Sequence, residues 1–400
     1  MNVISGRIES TSIEIHPTYV KKFYNDRWRR FNREFKRKGE FYFLTKYQSP
    51  CFIKVLDYEE DVSITLENGG VPLETEDGIP FTQKDIDFFE LVKWLYLLRQ
   101  EFKRFKIVHR DVNPTNVLYN KDTKTFKLID FSWAGEPGDQ DGITLPRVMN
   151  KRTDTPRGID GPNYYVEDDK SIEKMMILSI KRMIEDIASK GYRDGSSVNK
   201  GWLYHQVPFE EFSDTPFHKT AARDDYKSVL LHSNITDWSE IDVLDIGTGP
   251  GYFTFNLSAI AKSVVGMEGD TFVYKVAEAM RLLKDIENVV FLNCYLDENT
   301  IPEKDFDLVL FMNTHMWVYK QLGRERTFEL MKKLANTTKR ILFQTSGAES
   351  GGMFTVTEFG TSDDISKYLL DSGFTNVRLV NTTRQHGGKR YLFYAEGYKR

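Results

Sequence analysis

Between Ile187 and Gly201 the chain reads IASKGYRDGSSVNKG, a segment rich in Gly, Ser, Asn and charge that separates two stretches with different element patterns. Beyond it, apolar runs alternate regularly with amphipathic helical ones; before it, short alternating runs come first and longer helices later. At 400 residues the chain already carries an expectation of about two to three domains of roughly 150 residues each. The segment is therefore read as a linker, residues 191–201, between a first domain over 1–190 and a second over 202–400. No repeat at a fixed period relates the two sides, so the domains are unlike.

Composition narrows the function classes. With 40% hydrophobic residues, the chain can bury enough apolar surface to fold, which argues against a disordered or collagen-like protein. The formal net charge of −4, from 55 Lys and Arg against 59 Asp and Glu, supplies no global basic field for a polyphosphate backbone, so no nucleic-acid partner is expected. Cys51 and Cys294 are too far apart in sequence to form a disulfide framework or a Cys-rich metal site, which fits a reducing compartment. The opening MNVISGRIES lacks a positive segment followed by an apolar one, and no run reaches the about 18 apolar residues of a membrane span. A cytoplasmic protein with no transmembrane segment is expected.

In the first domain, VISGRI, STSIEIH and TYVKKFY alternate as antiparallel strands do, and a charged helical run extends from Asp26 to about Tyr47. Strand-like FIKVLDY and SITLEN follow, then an amphipathic helix from about Gln83 to Phe105, the segment IVHRDVNPTNVLY, a β-like FKLIDF, and a helical run from near Lys170. This is an α+β arrangement in two lobes. In the second domain, IDVLDIG, SVVGME, NVVFLN, FDLVLFM and RILFQTS read as strands alternating with helices over Gly251–Ala261, Phe272–Lys284, Arg324–Leu334 and Ser362–Ser372. That alternation implies βαβ units in a mostly parallel sheet, with VRLVN and YLFYAEG as a closing hairpin.

Two constellations carry chemistry. In His109-Arg110-Asp111-Val112-Asn113-Pro114-Thr115-Asn116, an acid and an amide five positions apart suit acceptance of a hydroxyl proton and binding of a metal. A second acid, Asp130 in LIDFS, ends a strand-like run, where a carboxylate can hold Mg²⁺ against the phosphates of ATP. The ordered set resembles the protein-kinase-like fold over about residues 1–190. The resemblance implies Asp111 as the catalytic acid/base, Asn116 and Asp130 as metal ligands, and ATP with Mg²⁺ as cofactors. It also gives Lys21 the place of the strand lysine that contacts the phosphates and Glu40, 19 residues on, that of its ion-pair partner. Lys22 is the alternative, because strand alternation sends only one of the two into the cleft. Glu67 and Asn68, before Gly69 and Gly70, take the place of the hinge that meets adenine. Asp168 resembles the buried acid that supports the catalytic loop, or else is a helix N-cap.

Four departures point away from protein kinases and toward small-molecule, sugar or lipopolysaccharide kinases. Only Gly6 and the turn Glu9-Ser10-Thr11-Ser12 stand where a Gly-rich loop would be, Ser132 replaces the last glycine of the DFG-like element, and Asn113 replaces the usual loop lysine. No A-P-E signature follows Asp130.

The second constellation is Val243-Leu244-Asp245-Ile246-Gly247-Thr248-Gly249-Pro250-Gly251, a glycine-rich turn between an apolar strand and a helix, with Glu268 ending the next strand. Two carboxylate oxygens can accept from two ribose hydroxyls. Together these features resemble Rossmann-like class I S-adenosylmethionine-dependent methyltransferases over about 202–400. The resemblance places Asp245, Gly247, Gly249 and Gly251 at the amino-acid end of the cofactor and Asn293-Cys294-Tyr295 beside adenine; Asp307 marks the fourth strand or simply packs in it. On the acceptor side, His315 in THMW is a candidate to orient or deprotonate the acceptor. Tyr204-His205-Gln206 and AARD are read as a lid, in which Arg223 can pair with the cofactor carboxylate or with an anionic acceptor; Lys320 is a second candidate clamp for the acceptor anion.

A kinase-like and a methyltransferase module in one chain resemble the WbdD-type family of bifunctional O-antigen chain terminators, with the domain order reversed and no coiled coil after Arg400. That resemblance implies phosphorylation of a small-molecule or glycan hydroxyl followed by methylation of the phosphate. The alternatives are a methyltransferase regulated by a nucleotide-binding pseudokinase domain, or a protein kinase fused to a methyltransferase.

Overall fold

The structure is a computed structural model describing residues 2–4, 10–26, 29, 39–73, 85–136, 164–190, 207–215, 222–348, 356–385 and 388–397. The chain divides into two compact units, Met1–Ile180 and Lys181–Arg400. The boundary falls inside a helix, and the linker expected over 191–201 lies outside the described residues.

In the first unit, strands β1 (Asn2–Ile4), β2 (Ser10–Ile15), β3 (Tyr19–Tyr24), β4 (Val55–Glu59) and β5 (Ser63–Glu67) form an antiparallel sheet in the order β1-β2-β3-β5-β4. Helix α1 (Gly39–Lys46) lies in sequence between β3 and β4; of the longer run expected from Asp26, this is the part the structure describes as a continuous helix. A second, three-stranded sheet joins β6 (Val71–Pro72), β7 (Val117–Asn120) and β8 (Thr125–Leu128). Helix α2 (Phe88–Phe105) starts where Asp87 accepts the backbone N–H groups of Phe89 and Glu90, five residues after the expected start. Its Leu91, Leu95, Leu98 and Phe102 recur at three- and four-residue spacing and are all buried, and Lys106 ends it in a left-handed conformation. Helix α3 (Tyr164–Lys190) begins six residues before Lys170.

The second unit follows the expected alternation closely. Helix α4 (Ala222–His232) precedes a seven-stranded sheet made of β9 (Asp242–Ile246), β10 (Ser263–Glu268), β11 (Val289–Asn293), β12 (Leu308–Met312), β13 (Arg340–Thr345), β14 (Thr375–Gln385) and β15 (Gly388–Glu396). Its order is β11-β10-β9-β12-β13-β15-β14, parallel from β11 to β13, with β15 and β14 added as an antiparallel hairpin. The crossovers carry α5 (Tyr252–Ser258), α6 (Thr271–Leu283), α7 (His315–Thr337) and α8 (Ser362–Asp371). Strand order reverses between β9 and its two neighbours, β10 and β12, and the crevice at the carboxyl ends of such strands is where ligands bind in open α/β sheets. Leu244, Ile246, Val309, Phe311, Ile341 and Phe343, from the central strands, belong to its buried core.

Helix α7 starts nine residues before the expected Arg324 because it is two helices joined at Gly323, whose φ of 76° and ψ of 176° break the ladder. A Cβ there would meet nothing within 4 Å, so the conformation alone calls for glycine.

Candidate functional site

The first constellation is assembled by hydrogen bonds that hold the loop after α2. Asp168, 3% exposed, accepts the backbone N–H of His109 at 2.6 Å and that of Arg110 at 3.0 Å. Because α3 starts four residues before it, Asp168 is not an N-cap; it is the loop's anchor. Burial pushes its carboxyl up to about 6, against the backbone donors that lower it. The His109 ring bonds the carbonyl oxygen of Ile129 at 2.9 Å, tying the loop to the approach to Asp130. With Arg110 at φ 69° and Asp130 at φ 67°, both turns bend through left-handed backbone, a conformation that collects at functional sites.

Asp111 and Asn116 come together as the spacing predicts. Asn116 donates from Nδ2 to the Asp111 carbonyl and to its Oδ2, both at 2.9 Å, and Asn113 donates to Oδ1 at 3.0 Å. Asp130 accepts from the Ser132 hydroxyl at 2.7 Å. The lysine facing this group is Lys22, not Lys21. Lys22 Nζ lies 3.0 Å from Glu40 Oε2 and 3.9 Å from Asp130 Oδ1, whereas Lys21 Nζ sits 5.1 Å from the ring centroid of Phe23, two residues along on the same strand face. The expected pairing of Lys21 with Glu40 is corrected by that alternation. Glu67, at the end of β5, pairs with Lys127 at 3.2 Å and accepts the N–H of Lys54, so its side chain is engaged within the fold. Asn68 closes the adjoining turn by donating to the His16 carbonyl at 2.8 Å. Gly6 and Glu9 lie outside the described residues, and Ser10–Ser12 belongs to β2.

The donors fit a hard cation. Asp130 offers a carboxylate and Asn116 an amide oxygen, its nitrogen being occupied by Asp111, and Mg²⁺ takes one or two such ligands beside substrate phosphates. Among the described residues, no three His, Cys, Asp or Glu side chains cluster as an all-protein metal cage.

In the second unit, Gly247, Gly249 and Gly251 have φ values of 70°, 58° and 94° and carry the chain from β9 into α5. At Gly247 a Cβ would come within 2.2 Å of Thr314 Oγ1, so the turn needs a residue with neither a side chain nor a preference for negative φ. Gly247→Ala is expected to lower the thermal midpoint of the second unit, by about 1–3 kcal/mol of strain, and to abolish S-adenosylmethionine uptake; calorimetry with and without the cofactor reads both.

Asp245, near the end of β9, is buried where the strand enters this turn. It is 1% exposed, accepts from Thr254 at 2.7 Å, and Thr254 bonds Thr248 at 2.7 Å. Burial pushes its carboxyl up to about 6. Through these hydroxyls Asp245, placed by the resemblance at the amino-acid end of the cofactor, braces the loop from within. Glu268 has the expected place, at the end of β10 beside the loop, with Oε2 accepting Gly249 N–H at 2.9 Å and Oε1 accepting Asp270 N–H at 2.8 Å. Each oxygen keeps a lone pair for a ribose hydroxyl. Burial pushes this carboxyl up to about 7. Asn293 donates to the Glu268 carbonyl at 3.0 Å, and the exposed ring of Tyr295 packs over Gly269, forming a wall next to Glu268. Burial raises the Cys294 thiol.

Asp307 is structural. It accepts the Asp242 N–H at 2.9 Å and pairs with Lys339 at 2.5 Å, at the amino ends of the strands, away from the crevice. Arg223 is exposed on the first turn of α4, and its charge reaches Tyr252, the residue after Gly251. Lys320 Nζ is 5.7 Å from the Trp317 ring. Tyr204, His205 and Gln206 lie outside the described residues.

His315 is removed from the acceptor side. It is 0% exposed, with the rings of Phe343, Phe311, Tyr368, Tyr319 and Phe359 at 4.9–5.9 Å from its own, and burial pushes its imidazole down to about 3. It stays neutral across pH 5–8 and has no opening to a substrate. His315→Leu is expected to leave the pH profile of methyl transfer unchanged in shape, because the ring is buried, and to lower the thermal midpoint, because the Thr345 hydroxyl and Tyr368 Oη, each 3.5 Å from a ring nitrogen, lose that partner.

The methyltransferase-domain family matches residues 238–368. That region is similar to methyltransferase domains. An rRNA adenine N-6-methyltransferase of Bacteroides fragilis is 34% identical over 83 residues, 21% of this chain and 30% of that protein. A non-specific serine/threonine protein kinase of Drosophila melanogaster is 28% identical over 85 residues, 20% of this chain and 13% of that protein. The chain thus spans less than a third of the length of the curated relatives it matches. Among solved structures, the bifunctional kinase-methyltransferase WbdD superposes with a TM-score of 0.40 at 16% identity, covering 48% of this chain and 43% of that one. No helix among the described residues is long and apolar enough to cross a membrane.

Proposed function

We propose that the chain is a two-step transferase: the first unit passes a phosphoryl group from ATP with Mg²⁺ to a hydroxyl of a glycan or small molecule, and the second methylates the phosphate so formed. The observation that carries the first step is the convergence of Lys22, Glu40 and Asp130, alongside a loop in which Asp168 fixes Asp111 and Asn116. Lys22 neutralises phosphate charge and Glu40 holds it in place; Asp130 and Asn116 would hold the cation, which shields charge on the transferred group. Asp111 aligns the attacking hydroxyl and accepts its proton. Positioning and charge neutralisation do most of the work in phosphoryl transfer, and these residues supply both.

For the second step, the glycine-rich turn and Glu268 bind S-adenosylmethionine, which supplies an electrophilic methyl group. A phosphate monoester has a second pKa near about 6 and is already an oxyanion at neutral pH, so the acceptor needs no general base. That agrees with the burial of His315. The cations Arg223 and Lys320 are the candidates to hold the acceptor anion. Incubating mono- and oligosaccharides with the chain, ATP, Mg²⁺ and S-adenosylmethionine should add about 80 Da and then about 14 Da by mass spectrometry, in that order. Methyl addition without prior phosphate would refute the order.

A second reading, a nucleotide-binding pseudokinase that regulates the methyltransferase, is favoured by one contact, the Ser132 hydroxyl on the proposed metal carboxylate. Under it, ATP binds without being consumed and alters methyl transfer to an acceptor that carries no phosphate.

A further inference from the structure

Helix α1 carries Glu40 in its first turn and Lys46 in its last, and both ends are tied to the segment that begins at Asp130. At the first end, Glu40 pairs with Lys22, which also faces Asp130. At the other, Glu136 Oε1 accepts from three groups: Lys46 Nζ at 2.6 Å and Tyr42 Oη at 3.2 Å on the helix, and Tyr47 Oη just past its end. Lys46 also donates to Tyr42 Oη at 2.7 Å, and its ammonium lies 5.1 Å and 5.0 Å from the Tyr42 and Tyr47 ring centroids.

The contacts close a circuit. From Asp130 it runs through Lys22 and Glu40 into the helix, leaves through Lys46 to Glu136, and returns along six residues of chain to Asp130. The strut in that circuit is eight residues long, about 12 Å at 1.5 Å per residue. Helical segments in proteins draw most of their stability from the contacts around them, so the contacts at Glu40 and Lys46 bear on the pose of α1. A single exposed ion pair would contribute little. Here one carboxylate oxygen gathers an ammonium and two phenols, and the Glu136 side chain is only 25% exposed. The Lys46 amine is raised, first by its hydrogen bond to Glu136.

We propose that Glu136 is a positioning residue for phosphoryl transfer: it clamps the carboxyl end of α1 so that Glu40 at the other end keeps Lys22 beside Asp130. This rests on the phosphoryl-transfer reading of the first unit, and it adds a residue to that site which touches neither nucleotide nor acceptor.

The test uses the full chain with Glu136→Gln, Tyr47→Phe, and the charge-exchanged pair Lys46→Glu with Glu136→Lys. Amide hydrogen exchange over residues 39–46 is followed together with calorimetric affinity for a non-hydrolysable ATP analogue with Mg²⁺ and, separately, for S-adenosylmethionine. In Glu136→Gln, exchange over 39–46 should rise about tenfold while that over 88–105 stays at the wild-type rate, because the opening is local. Nucleotide affinity should fall severalfold with S-adenosylmethionine affinity unchanged, Tyr47→Phe should give a smaller shift of the same sign, and the exchanged pair should restore both readouts. Unchanged exchange over 39–46, equal loss of protection over 88–105, or a loosened helix with undiminished nucleotide affinity would each overturn the proposal. If the unsubstituted chain binds no nucleotide, the phosphoryl-transfer reading fails by itself, and the exchange data alone decide whether Glu136 clamps the helix.

Discussion

Asp111→Asn is expected to lower phosphoryl transfer by about 10²- to 10⁴-fold, the range over which a positioned acid/base group acts, with nucleotide and S-adenosylmethionine binding both retained. The Asp111 oxygens accept from Asn113 and Asn116, which fixes the carboxylate's orientation. An asparagine has the same shape but one oxygen fewer. Its NH₂ group would confront the NH₂ of Asn113 or Asn116, so the variant loses both the proton acceptor and one tether of the metal-binding amide. The fold should survive, because the loop's anchor is Asp168, which binds the backbone of His109 and Arg110. A coupled assay of ATP consumption with a sugar acceptor, run beside calorimetry, separates these effects. Undiminished consumption would remove Asp111 from the reaction.

Glu268→Ala should weaken S-adenosylmethionine binding by about 100-fold, the consequence of two lost hydrogen bonds to a charged group at roughly 1.5 kcal/mol each. The same carboxyl gives the affinity a pH dependence. Burial holds Glu268 at about 7, so below that it carries a proton and has less capacity to accept from ribose hydroxyls. Affinity measured by calorimetry should therefore fall as pH drops from 8 to 6, and Glu268→Gln should flatten the curve at a lower level. Stability without cofactor has the opposite sign. A carboxyl whose folded pKa lies above its unfolded value, 4.5 for Glu268, binds its proton more tightly when folded, so stability falls as pH rises from about 4.5 to about 7. Asp245, pushed up to about 6 from 3.8, adds in the same direction. A second unit that melts higher at pH 5.5 than at pH 8, with Glu268→Gln reducing the difference, is the expected calorimetric result.

The second domain was the more legible because a buried parallel strand announces itself: VLDIG, VVGME and LVLFM are nearly continuous apolar runs set between helical ones. The first domain's half-exposed strands carry less signal. In TYVKKFY both faces hold an aromatic residue, so periodicity does not say which lysine turns toward the cleft. The register, with Lys22 opposite Ile13 and Ile64, settles it in the structure. His315 misled for a different reason. A histidine just beyond a central strand has the sequence position of an acceptor-binding group, but Phe311 and Tyr319, four residues to either side, mark it as a packed one. Thr248 and Thr254, which brace Asp245, read as ordinary loop and helix residues, because their partner becomes apparent only once the turn is closed. Glu136 belongs to no motif in the sequence, and only the arrival of the last turn of α1 gives it a role.

The most direct test of the two-step account measures methyl incorporation from S-adenosylmethionine into a glycan acceptor, with and without ATP and Mg²⁺, by the wild-type chain and by Asp111→Asn. The account predicts incorporation only by the wild-type chain with ATP present, and its recovery in Asp111→Asn when a chemically phosphorylated acceptor is supplied. Equal methylation of an acceptor that has never carried phosphate, with ATP withheld, would contradict it.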